Sequence, residues 1–309
     1  MKKLLLASTA LVASAGFAAA DVSLSGYAEM GVAGGGAKET QLHNDIDVTF
    51  KLSGETDAGL SFGATIDLDE ITNAGDDDGI PHTANDSSVF ISGGFGTLTL
   101  GDTDGAHDWA MAEVGAGTSL TDDHTAHAGF NGNSGLDGDY DGQILRWDYA
   151  AGAFGVAVSA EMDDDGNFDP ILGLGVKYSM DLASGSLGLG LGFQSGDDSS
   201  GNPDSVMGLS VSAGLGGGFK AGFNYSTTDY GTDDDETHYA LGLTYQVDAL
   251  MLHANYGSYQ DKGGVADADV DGYGLAVNYD LGGGAVVMLG YGDGDNSDST
   301  WSFGLGLSF

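Results

Sequence analysis

Apolar residues recur at every second position through most of the chain, and that period dictates what it can fold into. In Ile46-Asp47-Val48-Thr49-Phe50-Lys51-Leu52 each even position is apolar and each odd one polar. The same alternation runs through Leu60 to Leu68. Near the end, Trp301, Phe303, Leu305, Leu307 and Phe309 alternate with Ser302, Gly304, Gly306 and Ser308. Successive side chains of a strand point to opposite faces, so each such segment has one greasy face and one polar or glycine face. Glycine at every second position makes a helical bundle untenable, because each one weakens a helix by about 1 kcal/mol.

Such segments fall at 22–33, 43–53, 59–69, 87–93, 96–102, 143–150, 153–162, 171–180, 186–194, 205–215, 219–227, 237–247, 250–259, 270–279, 285–292 and 299–309. Short connections such as Gly93-Gly94-Phe95, Gly216-Gly217-Gly218 and Asp248-Ala249 alternate with longer acidic ones such as 70–86, 163–170 and 228–236. Tight turns join antiparallel neighbours, so the expected fold is all-β: a sixteen-stranded antiparallel up-and-down transmembrane β-barrel. About ten residues at roughly 3.3 Å each, tilted near 45°, rise about 23 Å, close to the apolar band of an outer membrane. Aromatics sit at the ends of the greasy face. Tyr149, Phe154, Tyr178, Phe219, Tyr245, Tyr279 and Phe309 lie beside the short turns, and Phe193, Tyr225, Tyr239, Tyr256, Tyr273, Tyr291 and Trp301 beside the long loops. Two belts match the two girdles at membrane interfaces.

The N-terminus supplies the compartment. Lys2 and Lys3, the apolar run Leu4 to Ala13 and Ala18-Ala19-Ala20 read as a secretory signal peptide over residues 1–20, leaving a mature barrel over 21–309. Without Lys2 and Lys3, six basic residues oppose 47 acidic ones, a formal charge of −41. That balance repels phosphate backbones and excludes nucleic acid as a partner. The 309 residues include no cysteine, so disulfides, thiolate metal sites and cysteine nucleophiles are absent. No convincing nucleophile–histidine constellation stands out, and the chain reads as no enzyme.

The polar face carries Gly173, Gly175, Gly188, Gly190, Gly192, Gly242, Gly272, Gly274, Gly304 and Gly306 among Ser, Thr, Asn and Asp. Such side chains are too small to fill a sixteen-stranded barrel, which leaves a water channel. The segment 103–142 lacks clear periodicity, and loops of that length are commonly functional. It holds Asp104, Asp108, Glu113, Asp122, Asp123, Asp137, Asp139 and Asp141, no lysine or arginine, and the apolar Trp109, Met111, Val114, Leu120 and Phe130. Those apolar side chains need a surface to pack on, so the segment is expected to fold inward and narrow the pore.

These residues together resemble the trimeric general diffusion porins of alphaproteobacterial outer membranes, the sixteen-stranded type, over essentially the whole mature chain. The resemblance is carried by Leu24-Ser25-Gly26, Leu52 to Leu60, Phe95 to Asp102, Tyr149 to Phe154, Tyr279 to Gly284 and the terminal Phe309. It implies an inward third external loop whose carboxylates, here Asp102, Asp104, Asp108, Glu113, Asp122 and Asp123, face basic wall residues. The family usually offers several arginines there; this chain has Arg146 alone, placed by parity on the lumen face with Asp148. Lys51, Lys177 and Lys220 share lumen parity. A negative, cation-preferring pore follows, passing ions and small hydrophilic solutes. The resemblance also implies a homotrimer among outer-membrane lipid and lipopolysaccharide, with strands near the termini in contact.

Two other readings stay open at this stage. A substrate-specific channel needs the same wall. A secreted acidic calcium-binding β-protein would share the composition, although its nine-residue repeat has one poor match, at Gly93 to Leu98. No cofactor is required. The acidic loops offer Asp76, Asp77, Asp78, Asp163 and Asp165 as candidate ligands of structural Ca2+, although solvated loop charge is the better account of them.

Overall fold

A computed structural model describes residues 21–36, 38–68, 87–115, 119–120, 134–140, 142–163, 166–196, 203–295 and 297–309. The signal-peptide assignment at 1–20 lies outside these, as do Asp76, Asp77, Asp78, Asp122, Asp123, Asp141 and Asp165. The described chain forms sixteen strands and one short helix. They are β1 (Asp21–Gly35), β2 (Lys38–Glu55), β3 (Ser61–Leu68), β4 (Ser87–Gly93), β5 (Gly96–Gly101), α1 (Ala106–Ala110), β6 (Ile144–Ala151), β7 (Phe154–Glu161) and β8 (Ile171–Leu182). There follow β9 (Gly185–Ser195), β10 (Ser205–Gly216), β11 (Phe219–Asp229), β12 (Glu236–Val247), β13 (Leu250–Gln260), β14 (Val270–Gly282), β15 (Ala285–Gly294) and β16 (Ser297–Ser308).

Each strand pairs antiparallel with its sequence neighbours, and β1 pairs with β16, closing the barrel. Closure leaves no free edge, as a sheet in lipid requires, since every backbone N–H and C=O must find a partner there. No helix among the described residues is long and apolar enough to cross a membrane; crossing falls to the strands. The closed up-and-down ladder is not a solenoid, which sets aside the repeat-built secreted protein.

The register gives the alternation its direction. Across β1 and β2, Met30 opposes Asn44 and Ala28 opposes Ile46 on one face, while Glu29 opposes Asp45 and Tyr27 opposes Asp47 on the other. The first face is exposed: Leu42 is 89% accessible, and Val22, Leu24, Met30 and Ile46 all exceed half. The aromatic belts take shape through cross-strand pairs. Phe154 opposes Tyr178 with rings 4.7 Å apart, and Phe219 opposes Tyr245 at 4.5 Å. Near the long-loop end Tyr273 and Tyr291 lie 6.1 Å apart. Rings paired across strands stiffen the girdle by about 0.5–1.5 kcal/mol each beyond their burial.

Tight turns behave as their composition demands. Gly216, Gly217 and Gly218 all take positive φ (78°, 61° and 87°), a conformation that costs other residues dearly. Two hairpins run further than alternation predicts. β1 runs on to Gly35, with a turn at residue 36, and β2 begins already at Lys38; β15 runs on to Gly294, and β16 begins already at Ser297. These stretches, Gly34-Gly35-Gly36 and Asp293-Gly294-Asp295 among them, carry no apolar period, yet the hydrogen-bond ladder proceeds without one.

Candidate functional site

The inner face is identified by what touches it. Departing from β5, the loop enters α1, whose Ala106 N–H donates to Ser159 Oγ on β7 at 2.8 Å. Ala112 N–H donates to Ser210 Oγ on β10 at 2.9 Å. A Cβ on Gly175 would run into the Ala106 carbonyl and lie 2.9 Å from Ala110 Cβ; one on Gly190 would strike the Ala110 carbonyl. On Gly192 it would lie 2.9 Å from His107 Cα, and on Gly208 2.7 Å from Met111 Cε. Further round the barrel Val114 lies against Gly222 and Gly242, and Leu120 against Gly31 and Gly304. All these glycines lie on the face opposite the exposed Leu, Val and Phe. The described part of the loop therefore touches the inner wall at β7–β10, at β11–β12 and at β1–β16.

This gives the glycine rows a meaning that periodicity does not supply. They are small on the inner face, as expected, and where the loop passes they make room for its backbone. Of the segment's apolar residues, Met111, Val114 and Leu120 are buried along with Ala106 and Ala110, Trp109 is half-buried, and Phe130 lies outside the described residues.

Two of the basic wall residues, Arg146 and Lys177, are engaged with the loop. Arg146 on β6 is inward with Asp148, as parity requires, and its Nε lies 3.3 Å from Asp148 Oδ1. Its Nη1 donates to Thr103 Oγ1 at 3.2 Å and to the Asp104 carbonyl, and lies 3.9 Å from the Asp104 carboxylate. The single arginine thus grips the point where the loop leaves the wall. Lys177 on β8 donates to the Trp109 carbonyl at 3.2 Å, with its ammonium 3.5 Å from the Trp109 ring centroid. Lys51 and Lys220 are inward and exposed; Lys220 and Glu113 line one cavity of about 330 Å³ beside the loop. Trp109, Met111, Lys177, Ser179 and Ser212 help line another of about 360 Å³.

Of the loop-side carboxylates, Asp102, Asp104 and Glu113 are exposed and Asp108 is partly buried. Burial, reinforced by Asp104, Asp137 and Glu113 and opposed by Arg146, pushes Asp108 up to about 7. Asp137 and Asp139 are each raised to about 6, burial again the main cause. Crowded, half-dehydrated carboxylates hold their protons longer because each charge costs more beside the others. Across the barrel, β1–β3 turn Glu29, Asp45, Asp47 and Asp67 inward, with His43 2.9 Å from Glu29 and Lys51 nearer the short turns. Carboxylates thus line both the loop and this part of the wall.

Asp163, one candidate metal ligand, spends its carboxylate on a turn: Oδ2 accepts the N–H groups of Asn167 at 2.6 Å and Phe168 at 3.1 Å. Residues that sequence reasoning left out of the site hold the returning limb of the loop. They are Gln194 on β9 and Glu161 on β7, both buried. Their only sequence signal is a long polar side chain at inward parity near the long-loop end of a strand.

A closed sixteen-stranded antiparallel barrel with an apolar outer face and a small-residue inner wall defines a channel-forming outer-membrane class. The chain belongs to the Gram-negative porin family, whose description matches residues 7–299. It is similar to a porin of Rhodobacter capsulatus, with 29% identity over 94% of this chain and 99% of that one. A porin structure refined at 1.8 Å superposes with a TM-score of 0.71 at 26% identity, covering 94% of this chain and all of the other. A mutant of Rh. blastica porin shares the fold with a TM-score of 0.70 at 18% identity, at the same coverage. The protein is accordingly an outer-membrane porin of a Gram-negative bacterium, and porins are channels rather than enzymes.

Proposed function

We propose that this porin passes ions and small hydrophilic solutes by passive diffusion, with cations preferred, through an aperture narrowed by the 103–142 segment. The observation that carries the reading is the glycine-floored inner wall with a carboxylate-bearing loop laid across it. Asp102, Asp104, Asp108 and Glu113 supply the loop side. The wall answers with Glu29, Asp45, Asp47 and Asp67 as well as with Arg146, Asp148, Lys51, Lys177 and Lys220. The two cations nearest the described loop, Arg146 and Lys177, are engaged with it, which leaves the negative charge ahead. At about 0.15 M salt the screening length is roughly 8 Å, comparable with a pore's half-width, so wall charge reaches the axis.

The same reading includes a homotrimer seated among lipid and lipopolysaccharide, with the apolar outer face of β1 and β2 around Val22, Leu24 and Leu42 at the contact. It includes structural Ca2+ only as an addition at the acidic loops; a chelator should then loosen trimers on semi-native gels. Liposome swelling with sugars of graded size tests the pore itself. A rate falling smoothly with solute size supports general diffusion. Saturable uptake of one sugar indicates a substrate-specific channel, and no swelling refutes a pore.

A further inference from the structure

Two buried wall side chains differ in chemistry in a way that matches what each receives from the loop. Gln194 on β9 is 1% exposed and shares the inner face with Gly188, Gly190 and Gly192. Its Oε1 accepts the N–H of Leu136 at 2.9 Å, and its Nε2 donates to Asp137 Oδ1. The other oxygen of Asp137 accepts the N–H of Gly105 at 2.6 Å. One wall amide therefore holds the returning limb directly and, through Asp137, the departing limb 32 residues earlier. Only a group that both donates and accepts fills that position.

Glu161 on β7, 2% exposed, receives three main-chain N–H groups of the returning limb. Its Oε2 accepts the N–H of Gly138 at 3.0 Å, and its Oε1 accepts those of Tyr140 at 3.3 Å and Gly142 at 2.8 Å. A carboxylate, acceptor-only when ionised, suits three converging amides. The Gln194–Asp137 bond aside, these bonds run to main chain, so they hold the loop's path whatever its rim carries.

We infer that Gln194 and Glu161 are positioning residues of the constriction, tying both limbs of the 103–142 segment to the wall and so setting its aperture. This rests on the pore reading above, since an aperture has meaning only in a channel. Ordinary polar satisfaction of two buried side chains is the competing account, and it predicts loss of stability without a change in channel behaviour.

Gln194→Glu separates the two, because it keeps shape and replaces the donor with a second carboxylate oxygen. Asp137 is already faced by Glu161 from β7 and by Asp104 and Asp108 from the departing limb. A second carboxylate at hydrogen-bond distance repels it while both are ionised. In planar bilayers near pH 8, the purified full-length variant should close at least about tenfold more often than wild type, the scale of one lost charge-assisted hydrogen bond. Near pH 6 a single proton shared by the pair restores the missing donor. Closing frequency should then return to within about twofold of wild type. Gln194→Leu has no proton to gain and should stay unquiet at both pH values. Glu161→Gln, which turns an amide hydrogen toward converging N–H groups, should do likewise. Heat-modifiable mobility on gels reports that each barrel has formed. Should Gln194→Leu fail to fold, the acid response of Gln194→Glu and the behaviour of Glu161→Gln still decide. Quiet Gln194→Glu channels near pH 8, or noise that acid does not relieve, overturn the inference. A wild-type protein that never conducts overturns the pore reading instead, so the two failures are distinct.

Discussion

Gly192→Ala is the smallest change that should move the constriction and spare the barrel. The new methyl carbon would lie 2.9 Å from His107 Cα and 2.7 Å from His107 Cδ2. Ordinary contact begins near 3.4 Å, so α1 must retreat by about half an ångström from that wall. Ser159 and Ser210 hold this part of the loop through N–H···O bonds of 2.8 and 2.9 Å, which such a shift stretches toward the limit of a useful bond. Overpacking of this kind costs about 1–3 kcal/mol, and the weakened bonds about 0.5–1.5 kcal/mol each. The strain falls on the loop, because His107 supplies the close neighbours and β8 and β10 stay paired on either side of β9. Single-channel conductance should change by tens of per cent, and Gly192→Val should exaggerate the change. Trimer melting on gels should move by only a few degrees. Gly94→Ala is the control, since its Cβ would meet nothing within 4 Å and its φ is not positive. The reasoning fails if Gly192→Ala conducts like wild type, or if it abolishes the barrel while Gly94→Ala is silent.

Other consequences are equally checkable. Asp108, raised to about 7, carries its charge only above that value, so cation preference should weaken as pH falls from about 8 to about 6. Asp108→Asn should flatten that part of the profile; an unchanged titration refutes the assignment. The same shift makes its contribution to stability greatest below the ordinary carboxylate value of 3.8 and lost as pH rises through about 7, because the folded state holds that proton more tightly. Arg146→Ala should increase cation preference and loosen the departing limb, and Arg146→Lys should not restore it, since a lone ammonium does not reproduce the guanidinium's fork to Thr103, Asp104 and Asp148. Identical reversal potentials in all three proteins would contradict the clamp. Leu42→Asp, at an 89% exposed position on β2, should weaken trimers on semi-native gels while single barrels still form; undiminished trimers would move the contact elsewhere.

Strands were the legible part, because a period of two is a local property and one buried or lipid-facing side suffices to write it. All sixteen appear where alternation places them, and their parity assigns Arg146, Asp148, Lys51, Lys177 and Lys220 to the inner face. The signal fades where the ladder runs on through Gly34-Gly35-Gly36, since backbone hydrogen bonds need no side-chain pattern. It is silent about partners. Arg146 was readable as a lumen residue, but its bond to the Asp104 carbonyl depends on the path of a loop without a period. Gln194 and Glu161 escaped for the same reason: they bind main chain at Leu136, Gly138, Tyr140 and Gly142, where residue type leaves no trace. The wall glycines were visible as small residues, and only the loop's course shows that several of them are small to let its backbone pass.

The reversal potential of single channels in a salt gradient, measured with purified protein in planar bilayers, tests the account most directly. A conducting pore whose reversal potential takes the sign of cation flow, weakening as salt rises and the screening length contracts, is the predicted result. Reversal of the anion sign, or bilayers that stay silent, would contradict it.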